Sequence, residues 1–195
     1  MNYPWPQRTW ETERPVVKLA VVQSDRASGG SIPLPGDVDL VFSASGLPEA
    51  QHLADLGHVV VLRGDDAIDP VALGALASHP PAALVLMPGS ESDLQAEGVL
   101  ELALALSESL AGLVVVVEDD GADPGAPGHG GSAIVLLGEV LAEALGGADV
   151  AVGDVPLPVP QPAPRNPLPE VPPILLQRLA NHRGLRPRQD YPSDA

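Results

Sequence analysis

Four carboxylates and an imidazole stand close together late in the chain. Glu118, Asp119, Asp120 and Asp123 come first, and His129 follows nine residues after Asp120. Carboxylate oxygens with one imidazole suit a hard divalent cation such as Mg²⁺ or Mn²⁺. The spacing matches no established metal motif. A solvated acidic loop is the competing reading of the same run.

A second group of candidates is small and polar. In open α/β sheets, ligands bind beyond the carboxyl ends of the strands. The segments expected there are Ser24-Asp25-Arg26, Ser43-Ala44-Ser45-Gly46, Arg63-Gly64-Asp65-Asp66, Pro88-Gly89-Ser90-Glu91 and Glu118-Asp119-Asp120-Gly121. Ser43, Ser45 and Ser90 are therefore candidate ligand contacts. Gly128 and Gly130 join them, because glycines at a helix start permit close backbone approach and its free N–H groups favour an anion. Ser90 and Ser92 flank a strand-to-helix turn where a nucleophile could sit, but the surrounding PGSESD is not a G-x-S-x-G elbow. Helix capping is the simpler use for both. The loop Ala27–Ser31 (ASGGS) lacks either phosphate-loop pattern and has no lysine, which argues against nucleotide binding.

The stretch Gly128-His129-Gly130-Gly131-Ser132 is similar to the Gly-His-Gly-Gly-Asn turn of the creatininase family of metal-dependent amidohydrolases. Residues Arg26 to Asp37 (RASGGSIPLPGD) also lie without a gap on that family's Glu-Gln-His-Gly-Pro-His-Leu-Pro-Leu-x-Thr-Asp loop. The resemblance implies that Asp37 occupies a metal-ligand position and that His129 matches the second histidine. Gly29, Pro33 and Leu34 match scaffold positions. The ligand glutamate is replaced by Arg26 and the ligand histidine by Ser28. A strand is expected after Asp37 where the family has a helix, and the family's Gly-His-Ala-Gly-Glu segment has no counterpart. The loss of two ligands implies a catalytically dead relative. A metal-dependent hydrolase, in a creatininase-like or an unrelated arrangement, would use Asp37, Glu118, Asp119, Asp120 and His129.

Charge narrows the partners. Between Asp37 and Asp154 there are twenty acidic residues and one basic residue, Arg63, and the whole chain carries −16. Such a field repels nucleic acid, phosphate-rich ligands and anionic membranes, and attracts cations and basic partners. The absence of cysteine removes disulfides, thiolate zinc sites and cysteine nucleophiles. No apolar run reaches the ~20 residues that cross a bilayer. The first residues, MNYPWPQRTWETERP, lack the apolar core of a secretory signal, so the expected location is cytoplasmic and the protein soluble.

The elements that must carry these residues alternate. Continuous apolar runs at Val16–Gln23, Val38–Ser43, His58–Arg63, Ala82–Met87 and Leu113–Glu118 read as strands buried on both faces, with Asp149–Val152 as a weaker sixth. Helices are expected at Pro48–Leu56, Pro70–Ser78, Asp93–Leu110 and Ser132–Leu145, the last stopped by Gly146-Gly147. Ser24–Gly36 has too many Gly and Pro for a helix, so the first two strands are joined by a long loop or the first strand pairs antiparallel. These alternations predict a Rossmann-like three-layer sandwich with a mainly parallel sheet of five or six strands.

The expected organisation is an aromatic arm over 1–14, an α/β domain over 15–155 and a Pro-rich, Arg-bearing tail over 156–195, with a short amphipathic helix at Ile174–Asn181. Arg165–Arg188 holds five arginines against one acid, Glu170, so this tail can dock on the acidic body of its own or another subunit. The preferred functional reading is a non-catalytic binding or assembly protein without a cofactor, meeting a protein partner or a second copy through its terminal segments and avoiding nucleic acid and membranes. The alternative is the metal-dependent hydrolase outlined above, which would need a divalent ion.

Overall fold

The structure is a computed structural model, and it describes residues 15–23, 32–118, 131–144, 149–163 and 168–184. Two sheets face each other in it. β1 (Val16–Gln23) lies between β2 (Leu40–Ser43) and β8 (Asp149–Pro156), parallel to the first and antiparallel to the second. The larger sheet runs β3 (Val59–Arg63), β4 (Ala83–Met87), β5 (Leu113–Val116), β6 (Ser132–Leu136), β7 (Glu139–Ala144). Its first three strands are parallel, whereas β5–β6 and β6–β7 are antiparallel. Four α-helices complete the described elements: α1 (Ala50–Leu53), which runs on into a 3₁₀ turn, α2 (Pro70–Leu76), α3 (Asp93–Ser109) and α4 (Pro173–His182).

Side chains alternate across a strand, so each strand of the larger sheet serves two cores. Leu84, Leu86, Val114, Val116, Ala133 and Val135 pack with α2, α3 and α4. Ala83, Val85, Met87, Leu113, Val115 and Ile134 pack instead on Val17, Leu19, Val21, Leu40 and Phe42 of the small sheet. All five residues of β4 and all four of β5 are buried. That is the state their unbroken apolar sequence implied. Each such side chain contributes about 1.5–3 kcal/mol when fully buried.

The expected mainly parallel Rossmann-like sheet is therefore incorrect. There are two mixed sheets, and α2, α3 and α4 cover one face of the larger while a second sheet covers the other. The error traces to Ser132–Leu145. Its Ala, Leu and Glu content favours a helix, but the segment is the β6–β7 hairpin. Leu137 and Gly138 form its turn with φ of 48° and 81°. Two consecutive positive φ values belong to the type I′ turn, whose twist matches that of paired strands. The turn is held from outside: Gly138 N–H donates to Ser107 Oγ at 2.7 Å and Leu137 N–H to the Gly112 carbonyl at 2.9 Å. Gly138, in the middle of the supposed helix, is the signal that the composition obscures.

The helix starts follow local chemistry. Asp69 caps α2 by accepting the Val71 N–H at 2.9 Å, with Pro70 in the first turn. Ser92 caps α3 by accepting the Gln95 N–H at 3.3 Å. Beyond β8 the described residues 157–163 and 168–184 stay on the body. Val159 joins the core between the sheets, and Val171, Leu175 and Leu179 join the core under the helices. The Pro160 carbonyl occupies the space a Cβ would need at residue 112, so only glycine permits that approach.

Candidate functional site

The carboxyl ends of β1 and β5 meet through buried polar groups. Gln23 closes β1 and is fully buried. Its Oε1 accepts the N–H groups of Gly131 at 3.1 Å and Ser132 at 3.2 Å. Ser132 Oγ in turn accepts the Glu118 N–H at 2.9 Å and donates to the Glu118 carbonyl at 3.2 Å. Glu118 is 1% exposed, two residues past β5. Ser90 then holds its carboxylate twice, with Oγ donating to Oε1 at 2.6 Å and N–H donating to Oε2 at 2.9 Å. Gly89, at φ 66°, makes the turn that brings both donors round. A hydroxyl this close to a carboxylate could lose its proton to it. Equally, two donors from one residue are what a buried carboxylate needs to avoid the cost of an unpaired charge.

Of the residues expected in a ligand or metal site, Ser90 and Glu118 are brought together. Ser90 is no helix cap; that role is filled by Ser92 alone. Ser43 and Ser45 remain with each other at the end of β2. Their hydroxyls are 3.2 Å apart, and Ser43 Oγ donates to the Gly46 carbonyl and accepts its N–H, both at 3.0 Å. They close their own turn. Asp37 pairs with Lys18 Nζ, and that ammonium holds the Asp37 carboxyl below its ordinary range, while the carboxylate raises Lys18 above its own. Asp37 thus sits beside Lys18 near the start of β1, and Glu118 is joined to Gln23 at its end. Lys18 and Gln23 are five residues apart on β1, about 16 Å at roughly 3.3 Å per residue. Asp119, Asp120, Gly128, His129 and Gly130 lie outside the described residues. Among the described residues no group of three or more His, Asp or Glu is placed to hold a metal ion. Ser132, which follows the glycine-histidine stretch, opens a strand and not the expected helix.

A second polar group lies along the same rim, on its exposed side. From α4, Arg178 Nη2 donates to the Pro88 carbonyl at 2.7 Å, at the exit of β4. One turn on, the His182 ring reaches Asp65 Oδ1 at 2.9 Å through Nδ1 and Glu91 Oε1 at 3.1 Å through Nε2. Arg183 Nη2 donates to Asp69 Oδ2 at 2.6 Å. Asp65, first, and Glu91 raise the His182 pKa above 6.5. Arg183, first, and the Val71 N–H lower Asp69 below 3.8. Arg178 is 6% exposed, and its Nε and Nη1 have no hydrogen-bond partner. The sequence points to a basic amphipathic helix here but not to its targets. The i, i+4 spacing of Arg178 and His182 is the available signal that these two share one side, with Arg183 following the helix end.

On the helical face, an open groove of about 730 Å³ runs between α2, α3 and the 168–176 segment. Its lining is mostly apolar, including Leu73, Ala77, Leu106, Leu168, Val171 and Leu176.

No protein-family model and no curated protein matches the chain. Among solved structures it is similar to a mutant of the amidase from Nesterenkonia sp. AN1 in complex with butyramide, with 19% identity and a TM-score of 0.39. That match covers 65% of this chain and 43% of the amidase chain. A likeness at this level bears on neither family nor activity. No described helix is long and apolar enough to cross a membrane.

Proposed function

We propose that this is a non-catalytic binding or assembly protein whose partner is another protein or a second copy of itself. The observation that carries the reading is the open apolar groove between α2, α3 and the 168–176 segment. Apolar concavities with a few polar groups at their edge are where proteins receive ligands and partner side chains. The described candidate acids are meanwhile engaged internally, Glu118 by Ser90 and Asp37 by Lys18. The net charge of −16 supports avoidance of nucleic acid and anionic membranes, and this reading takes the protein as cytoplasmic and without a cofactor.

The test is native mass spectrometry and sedimentation of the full chain beside an Ala77→Arg, Leu176→Arg variant, both positions being on the groove. Self-association in the parent that is lost in the variant is the expected result for homo-assembly. Steady hydrolysis of ester or amide substrates with added Mg²⁺, Mn²⁺ or Zn²⁺, abolished by Glu118→Gln, would replace this reading with the metal-dependent hydrolase.

A further inference from the structure

We infer that α4 is a pH-tuned clasp, closed across the carboxyl ends of β3 and β4 by His182 and able to open locally when that imidazole loses its proton. The inference stands whether or not the groove receives a partner. The last turn of α4 and the residue after it contact two strand exits at three places: Asp65 and Asp69 between β3 and α2, and Glu91 between β4 and α3. A single ring bridges Asp65 and Glu91, one carboxylate to each nitrogen. With both nitrogens protonated, His182 donates to two carboxylates at once. As a neutral ring it keeps one donor, and the other nitrogen turns a lone pair toward a carboxylate oxygen. One of the two contacts then changes from attraction to repulsion.

Asp65 and Glu91 both favour the protonated His182 ring, and partial desolvation opposes them. Asp65 and Asp66 come from the turn after β3, Asp69 from the start of α2 and Glu91 from the start of α3, while Arg178 and Arg183 lie on α4's own end. Arg183 bonds Asp69 and Arg178 reaches the Pro88 carbonyl, so among these three cations His182 is the one hydrogen-bonded to both Asp65 and Glu91. Elsewhere α4 is held by Leu175 and Leu179 in the core, yet the same helix buries Arg178 with Nε and Nη1 unpaired. Unpaired buried donors oppose docking. Apolar seating therefore holds the helix near the body, and the charged end decides how often that end opens.

The direction of the pH effect follows from the raised His182 value. A cationic group whose folded pKa exceeds its unfolded one contributes fully below the unfolded value, and its contribution disappears as pH rises through the folded value. Closure is thus complete at mildly acidic pH and weakens on going to alkaline pH. On the far acid side, the Asp69–Arg183 contact fails only as pH drops through the lowered Asp69 value.

Hydrogen exchange on the full chain tests this. α4 amides are followed at about pH 5.5 and about pH 8.5, bracketing the imidazole range, with α3 amides as the internal reference for intrinsic rate. The expected result is a several-fold loss of α4 protection relative to α3 at the higher pH, with little pH dependence left in His182→Gln or in the doubly neutralised Asp65→Asn, Glu91→Gln. An NMR titration of His182 should lie above the free imidazole value in the parent and return toward it in the double variant. The same pH-dependent loss in His182→Gln, or a His182 that titrates at or below the free value, would overturn the clasp.

Discussion

Ser90 and Glu91 are neighbours in the chain, yet they belong to two different electrostatic regimes. Ser90 donates inward to Glu118, which is 1% exposed. Glu91 faces outward to His182, and its side chain is 59% exposed. Both contacts involve a carboxylate at the ends of the parallel strands, at similar distances. What differs is the alternative open to each carboxylate. Water can replace His182 around Glu91, so that contact is worth little to global stability. Water reaches the 1% exposed Glu118 far less readily, so the inner pair is more costly to break even where its net contribution is small. Proximity in space or sequence does not rank these contacts; solvent access does.

Mutations at the two places should separate by size. Glu118→Ala is expected to have the largest effect, a loss of about 2 kcal/mol in urea unfolding, because it takes away the acceptor of both Ser90 donors. If the loss were no greater than that of an exposed carboxylate, the inner pair would not be the buried lock described. Ser90→Ala removes the 2.6 Å hydroxyl bond and keeps the N–H bond, so about 1 kcal/mol should be lost. Asp69→Ala deletes an N-cap and should cost about 1 kcal/mol at neutral pH. Since the Asp69 carboxyl is held below 3.8, that difference should persist above this value and fade as pH falls through the folded one, which acid unfolding of the two proteins would show. His182→Gln is expected to leave the global urea midpoint unchanged at alkaline pH and to act only on local exchange in α4. A large global change there would erase the distinction between the two regimes.

The parallel part of the fold was legible because its signals are local. Continuous apolar runs marked β1, β3, β4 and β5, and Asp69-Pro70 and Ser92 marked the starts of α2 and α3. The antiparallel β6–β7 hairpin was not. Ser132–Ala144 has a helix-like composition, and its true state depends on Val114, Val115 and Val116 of β5 offering a free edge for Val135, Ile134 and Ala133. A composition scale cannot see an edge that another strand provides. The candidate site was legible to the same degree. Glu118 and Ser90 each stand out in the sequence, but separately, and the capping role that suits Ser90 is filled by Ser92. Gln23 reads only as the end of an apolar strand, although its burial without an apolar side chain requires a partner.

Taken alone, the order of residues determined which segments must leave water, where two helices start and what sign of charge surrounds them, since each of these depends on a few consecutive side chains. Only the tertiary structure decided that the second face of the larger sheet is covered by another sheet, that residues 28 apart pair as Ser90 and Glu118, and that α4 returns to the strand ends through contacts 91 and 117 residues long. The physical reason is the same in each case. A buried polar group or an open strand edge requires some partner, but which partner arrives is set by how the whole chain packs.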